Sequence, residues 1–463
     1  MRPIVFLLLL AVMAHVGNAA DSEKLSPNVL LIVADDLGWG DVGWHDSAFR
    51  TPQMDQLVAE GVELDRHYVQ PVCSPTRTAL MSGRWTGRWG PHVLRPTNRR
   101  AFPPGTVTLA GALQQAGYAT CMAGKWHLGS RAEWGPNHFG FDHTYGSLTG
   151  AIDPWTHQYR PGVWLDTWHR DGRFFHEEGN ATELVAKEVV NWIRTQPQPW
   201  FIYVPFHAVH IPIDAPDEYK QPWANVKLHD DPEKNESLQR MAAFVAQLDA
   251  KVGEFVEAVD ERGVRENTLI VFTSDNGGKT KGDNPYVGTV KPTPALSSNR
   301  PLRGEKGQLF EGGIRVPAFV NWKGTLAPRK VSAPIHAADW MPTLTRLVGW
   351  KQPSEIQFDG QDVWPVISGA VAQPEPRTIY IPLPKSWAVL HDGWKLIVTD
   401  KGPKGRDKSD DIKLFHVTRD PSEKQNLADS EPARVKDLLA RLAELRKDDL
   451  DELPADLEGV PEY

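Results

Sequence analysis

The sequence predicts an α/β protein: helices flanking an open sheet, followed by a smaller antiparallel unit. Three observations carry that expectation. Residues 28–33, 118–122, 200–206 and 268–274 are short apolar runs, the pattern of strands buried on both faces. Segments with helical spacing lie between them as far as about residue 345. Near Trp364-Pro365 the pattern changes to short strands separated by turns.

The 463 residues carry ample apolar content for a sizeable core. A net charge of −8 and a pI of about 6.1 point away from nucleic acid. An acidic protein acting on an acidic polymer needs its positive charge gathered locally in a site. Residues 1–20 read as an export signal, with Arg2 as the charged start, an apolar run over 4–14, and Ala19 or Ala20 for cleavage. That run is too short to span a bilayer, and no later stretch is long and apolar enough. The expectation is a soluble exported protein, periplasmic or extracellular, or lysosomal or secretory in a eukaryote. Two cysteines, Cys73 and Cys121, make no disulfide framework, though one bridge between them stays open. Eighteen tryptophans suit core packing and sugar-binding surfaces alike.

In chain order, the first strand ends in Asp35-Asp36. Adjacent carboxylates just past a buried strand are costly unless they meet cations, and hard cations such as calcium take oxygen ligands. Thr51-Pro52 opens a helix that Gly61 closes. In 73–83, Ser74 suits an N-cap, Pro75 a first helical position and Gly83 the residue after the last turn. Cys73 then sits at a helix mouth that favours an anion, and Arg77, one turn in, reaches back toward it. A helix over 108–116 leads to the next strand, which delivers Gly124-Lys125-Trp126-His127-Leu128-Gly129. On an extended segment Lys125 and His127 share a face.

The aromatic stretch 150–180 lacks a period and reads as an irregular loop, either a substrate wall or a loop packed on itself. The strand at 200–206 ends in His207-Ala-Val-His210-Ile-Pro212. A helix over 237–261 precedes the strand at 268–274, which ends in Asp275-Asn276-Gly277-Gly278. Residues 279–300 read as a long loop over the site, and Lys306 follows within the glycine-rich block 303–317. Beyond 365, strands are expected at 379–383, 386–390, 394–398 and 413–417, with a turn at His391-Asp392-Gly393. Val435, Leu438, Leu439, Leu442 and Leu445 mark an amphipathic helix, and the acidic tail after Lys447 is expected to be loosely ordered. Sites in open α/β sheets form beyond the carboxyl ends of strands, so these polar strand ends are expected to meet.

Cys73-Ser-Pro-Thr-Arg77, backed by Leu80-Met81-Ser82-Gly83-Arg84, resembles the signature of the type I, formylglycine-dependent sulfatases. Gly124-Lys125-Trp126-His127 and the 303–317 block resemble two further motifs of that family, in order and spacing across nearly the whole mature chain. Residues 35–44 and 70–84 are most similar to its arylsulfatase B-like branch. The resemblance implies an alkaline-phosphatase-like large mixed sheet flanked by helices over 21–365. It also implies a C-terminal subdomain of antiparallel sheet plus helix over 366–463.

By the same resemblance a maturation enzyme converts Cys73 to formylglycine. One calcium ion is held by Asp35, Asp36, Asp275, Asn276 and the converted residue at Cys73. The aldehyde hydrate would be the nucleophile, stabilised by Arg77. Lys125, His210 and Lys306 would hold the sulfate oxygens, and His210 or Lys306 would protonate the leaving oxygen. His127 would deprotonate the remaining hydroxyl. The family's histidine shortly before a proline selects His210 over His207, which would pack behind it. The implied substrate is a sulfated carbohydrate, with N-acetylgalactosamine 4-sulfate-like units as a candidate, or an aryl sulfate. A phosphoester or phosphonate hydrolase of the same superfamily and an inactive sulfated-glycan-binding protein are the alternatives. Maturation has a direct signature: the peptide containing Cys73 should weigh about 18 Da less as the aldehyde than as the thiol. An unshifted mass would rule the conversion out.

Overall fold

The computed structural model describes residues 26–94, 99–159, 166–282, 288–290, 293–400 and 411–461. The expected export signal lies outside the described residues. The main sheet is built from β1 (Asn28–Ala34), β2 (Val62–Leu64), β3 (Ala119–Lys125), β4 (His143–Ser147), β5 (Trp168–Arg170), β6 (Arg173–Phe174), β7 (Trp200–Pro205), β8 (Thr268–Ser274), β9 (Ala318–Asn321) and β10 (Arg329–Val331). Their spatial order is β10-β2-β9-β8-β1-β7-β3-β4-β5-β6. The five central strands, β8, β1, β7, β3 and β4, are parallel. On one side β9 runs antiparallel to β8, and on the other β5 and β6 form an antiparallel edge. Ala34 pairs with Ser274, so Asp35 and Asp275 leave neighbouring strands at the same level.

Strand β1 shows why its run reads as continuously apolar. Leu30, Ile32 and Ala34 join one core cluster, with the helices Ala181–Thr195 and Pro232–Glu261. Val29, Leu31 and Val33 join the other, with the helices Leu109–Gln115 and Trp340–Leu347. Both faces are covered, so no position on the strand needs to be polar. Each aliphatic side chain buried this way contributes about 1.5–3 kcal/mol. Strand β1, whose end leads into the candidate site, is thus held from both faces.

The C-terminal strands Thr378–Leu383, Ser386–His391, Trp394–Thr399 and Asp411–His416 form a sequential antiparallel sheet. Asp392 and Gly393, both at positive φ (49° and 76°), make the two-residue turn that its second hairpin requires. The helix Pro432–Leu445 buries Leu438 and Leu442 against it. The same cluster takes in Tyr68, Ala79, Trp85, Leu309 and Ile314, so the small sheet packs directly on the part that carries the main sheet.

Two expectations are corrected. The stretch 150–180 is not irregular throughout, because it supplies β5 and β6. Its described aromatics mainly pack inward: Trp168 and His169 are buried, His157 stacks on Trp168 at 4.4 Å, and Trp155 donates to Asp214. The acidic tail is docked rather than loose. Asp449 accepts from Arg88 at 2.7 Å, Asp456 pairs with Arg100, and Leu457 is buried.

The helix Pro52–Ala59 is capped from a distance. The Thr51 hydroxyl donates to Asp55, and the free N–H groups of Gln53 and Met54 donate to Asp249 of the long helix, at 3.1 and 2.8 Å. Burial pushes the Asp249 carboxyl up to about 6. Asp249→Ala should lower the unfolding free energy by about 1–2 kcal/mol, read as an earlier urea midpoint at unchanged slope. An unchanged midpoint would mean that packing alone holds the helix start.

Candidate active site

The helix Cys73–Ser82 begins at the thiol itself, with Val72 as its cap, and Gly83 ends it at φ 66°. Ser74 is not the N-cap its residue type suggests. Its hydroxyl donates to the His127 carbonyl (2.9 Å), tying the helix mouth to the segment that carries Lys125 and His127. All ten helical residues are buried. Thr78 and Ser82 satisfy their hydroxyls on carbonyls one turn back, at 2.8 and 2.7 Å. Cys73 and Cys121 are both free thiols, so the open disulfide is not made. Burial pushes the Cys73 thiol up, outweighing the pull of Lys125 and Lys306.

Beside this helix mouth, three acids meet three cations. Arg77, fully buried, donates through Nε and Nη2 to Asp275 Oδ2 (3.0 and 2.7 Å) and through Nη1 to the Lys125 carbonyl (2.6 Å). Lys125 Nζ contacts Asp35 Oδ2, and Lys306 Nζ lies 2.6 Å from Asp36 Oδ1. Asn276 Nδ2 donates to Asp36 Oδ1 at 2.7 Å. Burial, then the charge of Asp275, lifts the Asp35 carboxyl to about 7. Burial acts on Asp36 in the same direction, but Lys306 and His210 outweigh it and hold that carboxyl below the usual range. Asp36 and His127 both adopt left-handed backbone (φ 60° and 59°), a conformation that non-glycine residues keep only where their surroundings enforce it.

Two buried oxygens of the group, Asp35 Oδ1 and Asn276 Oδ1, make no hydrogen bond. Ligand atoms of Asp35, Cys73 and Asp275 lie within 4.8 Å of one another, and so do those of Asp35, Asp36 and His210. Crowded carboxylates with unsatisfied oxygens fit a hard dication such as calcium. Asp35, Asp36, Asp275 and Asn276 are the residues that could hold one.

The two histidines face different partners. His210 Nε2 lies 3.8 Å from Asp36 Oδ2, with Nδ1 2.6 Å from the Ile211 carbonyl. His207 turns to Ser147, 2.7 Å from its hydroxyl. Burial pushes both rings well below the usual histidine range. A cleft of about 690 Å³ opens over the group, lined by Cys73, His127, His210 and Lys306, with Gly150 and Lys279 among its other walls. The structure thus brings all ten sequence-predicted site residues together. It adds Gly150, which carries no local sequence signal, and Lys279, which the preceding Gly277-Gly278 turn could have flagged.

A family model described as Sulfatase matches residues 27–350. The chain belongs to the sulfatase family. It is a sulfuric ester hydrolase. This sulfatase is 33% identical to Arylsulfatase J of Mus musculus, over 93% of this chain and 77% of that protein. It is 32% identical to N-acetylgalactosamine-6-sulfatase of Rattus norvegicus, over 78% of this chain and 69% of that protein. Among solved structures, Ps i-CgsB in complex with k-i-k-neocarrahexaose matches with a TM-score of 0.79 at 30% identity, covering 92% of this chain and 94% of that one. Phosphonate Monoester Hydrolase of Agrobacterium radiobacter shares the fold, with a TM-score of 0.60 at 19% identity, covering 93% and 98%.

Gly150 supplies the sharpest local test of the geometry. A Cβ there would lie 2.3 Å from His127 Nε2, so Gly150→Ala must displace the imidazole. The expected result is a loss of about a hundredfold in kcat on an aryl sulfate with thermal stability retained, since misplacement by about 1 Å suffices for that loss. Full activity would show that His127 takes no part.

Proposed function

We propose that this sulfatase removes sulfate from a sulfated carbohydrate, with formylglycine at position 73 and calcium at the neighbouring carboxylates. The observation that carries this reading is the approach of Cys73, Asp35 and Asp275 to within 4.8 Å at a helix mouth beside Arg77, Lys125 and Lys306. A thiol held above its usual pKa is a poor thiolate nucleophile, which favours a chemically altered side chain there. When present, the aldehyde hydrate and the ion would supply a nucleophilic oxygen and neutralise charge.

The chain's own residues supply the rest. Lys306 and His210 on the cleft wall, with Lys125 below, hold the sulfate oxygens as charge shifts onto them. Arg77 pairs with Asp275 and steadies charge beside residue 73. Lys306, or His210 once the bound anion has drawn a proton onto it, gives the leaving oxygen its proton, and His127 takes one on the side of residue 73. Each role is assigned to a residue already at the cleft or directly beneath it.

A glycan substrate is favoured by the relatives named for N-acetylgalactosamine-6-sulfate and the structural match crystallised with neocarrahexaose. N-acetylgalactosamine sulfate esters are the first class to test. Lys279 and Lys281 at the rim add local positive charge to a chain of net charge −8, as an anionic substrate requires. The reading keeps the exported location and the maturation enzyme that the sequence implies. No helix among the described residues is long and apolar enough to cross a membrane.

Two-metal phosphoester hydrolases need more metal ligands than one cluster. Both candidate clusters among the described residues share Asp35, which describes one site. Paired aryl esters should therefore release sulfate at least about a hundredfold faster than phosphate, and the opposite ranking would overturn the reading. Lys306→Ala should lower kcat/KM on the aryl sulfate by about a hundredfold or more. A loss under threefold would remove Lys306 from the sulfate site.

A further inference from the structure

The loop that carries Lys306 stands on the surface: Arg303, Gly307 and Gln308 are exposed, and Lys306 is half-buried. It closes on itself where Gly312 N donates to the Arg303 carbonyl (2.6 Å). Two backbone bonds tie its middle to the catalytic part, Gly307 N to Pro71 O (2.7 Å) and Lys306 N to Gly278 O (3.3 Å). Its two ends are held by the C-terminal subdomain.

That hold is a buried charge cluster. Lys395, on the strand Trp394–Thr399, is fully buried, with Nζ 2.8 Å from Glu311 Oε1 and 2.6 Å from Glu423 Oε1. Glu311 and Glu423 are fully buried as well. Glu423 Oε2 accepts the Glu311 backbone N–H at 2.6 Å, and its carbonyl accepts from Arg303 Nη1 at 2.9 Å. Tyr68 donates to the other Glu311 oxygen at 3.1 Å. Glu423 also sits at φ 50°, a backbone cost that persists only where the surroundings enforce the conformation.

Three ionisable groups buried together are a poor source of stability, because apolar replacements of similar volume are often neutral or better. What such a cluster supplies is a fixed geometry, and the piece it fixes is the loop bearing Lys306. We propose that Lys395 and Glu423 are positioning residues for Lys306: the C-terminal subdomain sets where that cation stands over the cleft. The inference rests on Lys306 being the sulfate-holding cation of the reading above.

The test is a double-mutant cycle on the mature enzyme with 4-nitrophenyl sulfate. Lys395→Met should lower kcat/KM at least tenfold when Lys306 is present and less than twofold in a Lys306→Ala background. An equal loss in both backgrounds, or a folded Lys395→Met enzyme of full activity, would overturn the proposal. If Lys395→Met does not fold, Glu423→Gln keeps an acceptor for the Glu311 amide while removing the charge, and the same cycle applies. Hydrogen exchange supplies an arm independent of turnover. Amides of 303–312 should exchange at least tenfold faster in either variant while those of 28–34 stay unchanged, and unchanged loop exchange would overturn it. If the wild-type enzyme turns over no sulfate ester, the functional reading falls, and the exchange arm still decides whether the clamp holds the loop.

Discussion

Asp35, Asp36 and Asp275 sit beyond the reach of solvent, at most 4% exposed, and their mutual repulsion sets the terms for everything near them. Carboxylates that close in a dry environment cannot all stay ionised unless cations come to them. Arg77 comes from the helix Cys73–Ser82, Lys125 from the end of β3, and Lys306 from the loop before the short helix Glu311–Ile314. One electrostatic requirement thus draws three distant segments onto the ends of β1 and β8. Ion pairs of this depth are weak stabilisers on balance. The apolar strands beneath supply the stability, and the acids supply an address.

Parallel pairing makes the address exact enough to use. Because β1 and β8 run side by side in the same direction, both reach their last residue at one level and hand over to Asp35 and Asp275. Antiparallel neighbours would have sent those acids to opposite ends of the sheet. The backbone then has to turn sharply while the side chains stay. Asp36 and His127 do so in left-handed conformation, and Gly277 has no room for a Cβ, which would lie 1.8 Å from the Gly312 carbonyl oxygen. The rigid frame and the strained turns are parts of one device.

How much of this was readable in the sequence depends on how local the cause is. Strands β1, β7 and β8 were legible because burial on both faces leaves an unbroken apolar run, and the Asp392-Gly393 turn because its backbone demands those residue types. The site residues were legible through motifs that resemble a family, since Lys125, His210 and Lys306 taken singly look like surface residues. Failures came where a distant partner decided the outcome. Ser74 had the chemistry of a cap, but the His127 carbonyl claimed its hydroxyl. Asp449 and Asp456 looked solvated until Arg88 and Arg100, more than 350 positions away, met them. Lys395 reads as an ordinary strand residue and Glu423 as an ordinary loop residue, because nothing near them in the chain announces Glu311.

The thiol at position 73 is out of character with its surroundings. Its neighbours are carboxylate and amide oxygens, a hard donor set that suits calcium or magnesium and leaves sulfur a poor partner. Burial keeps the thiol protonated, so it offers no charge to the dication those oxygens fit and no nucleophile to an ester. Arg77 gives its donors to Asp275 and the Lys125 carbonyl. An oxygen at that position would remove both mismatches, completing the hard set and placing a nucleophile where the helix mouth favours negative charge. The formylglycine proposed above would place such an oxygen there, which is the physical reason to look for the modification at Cys73.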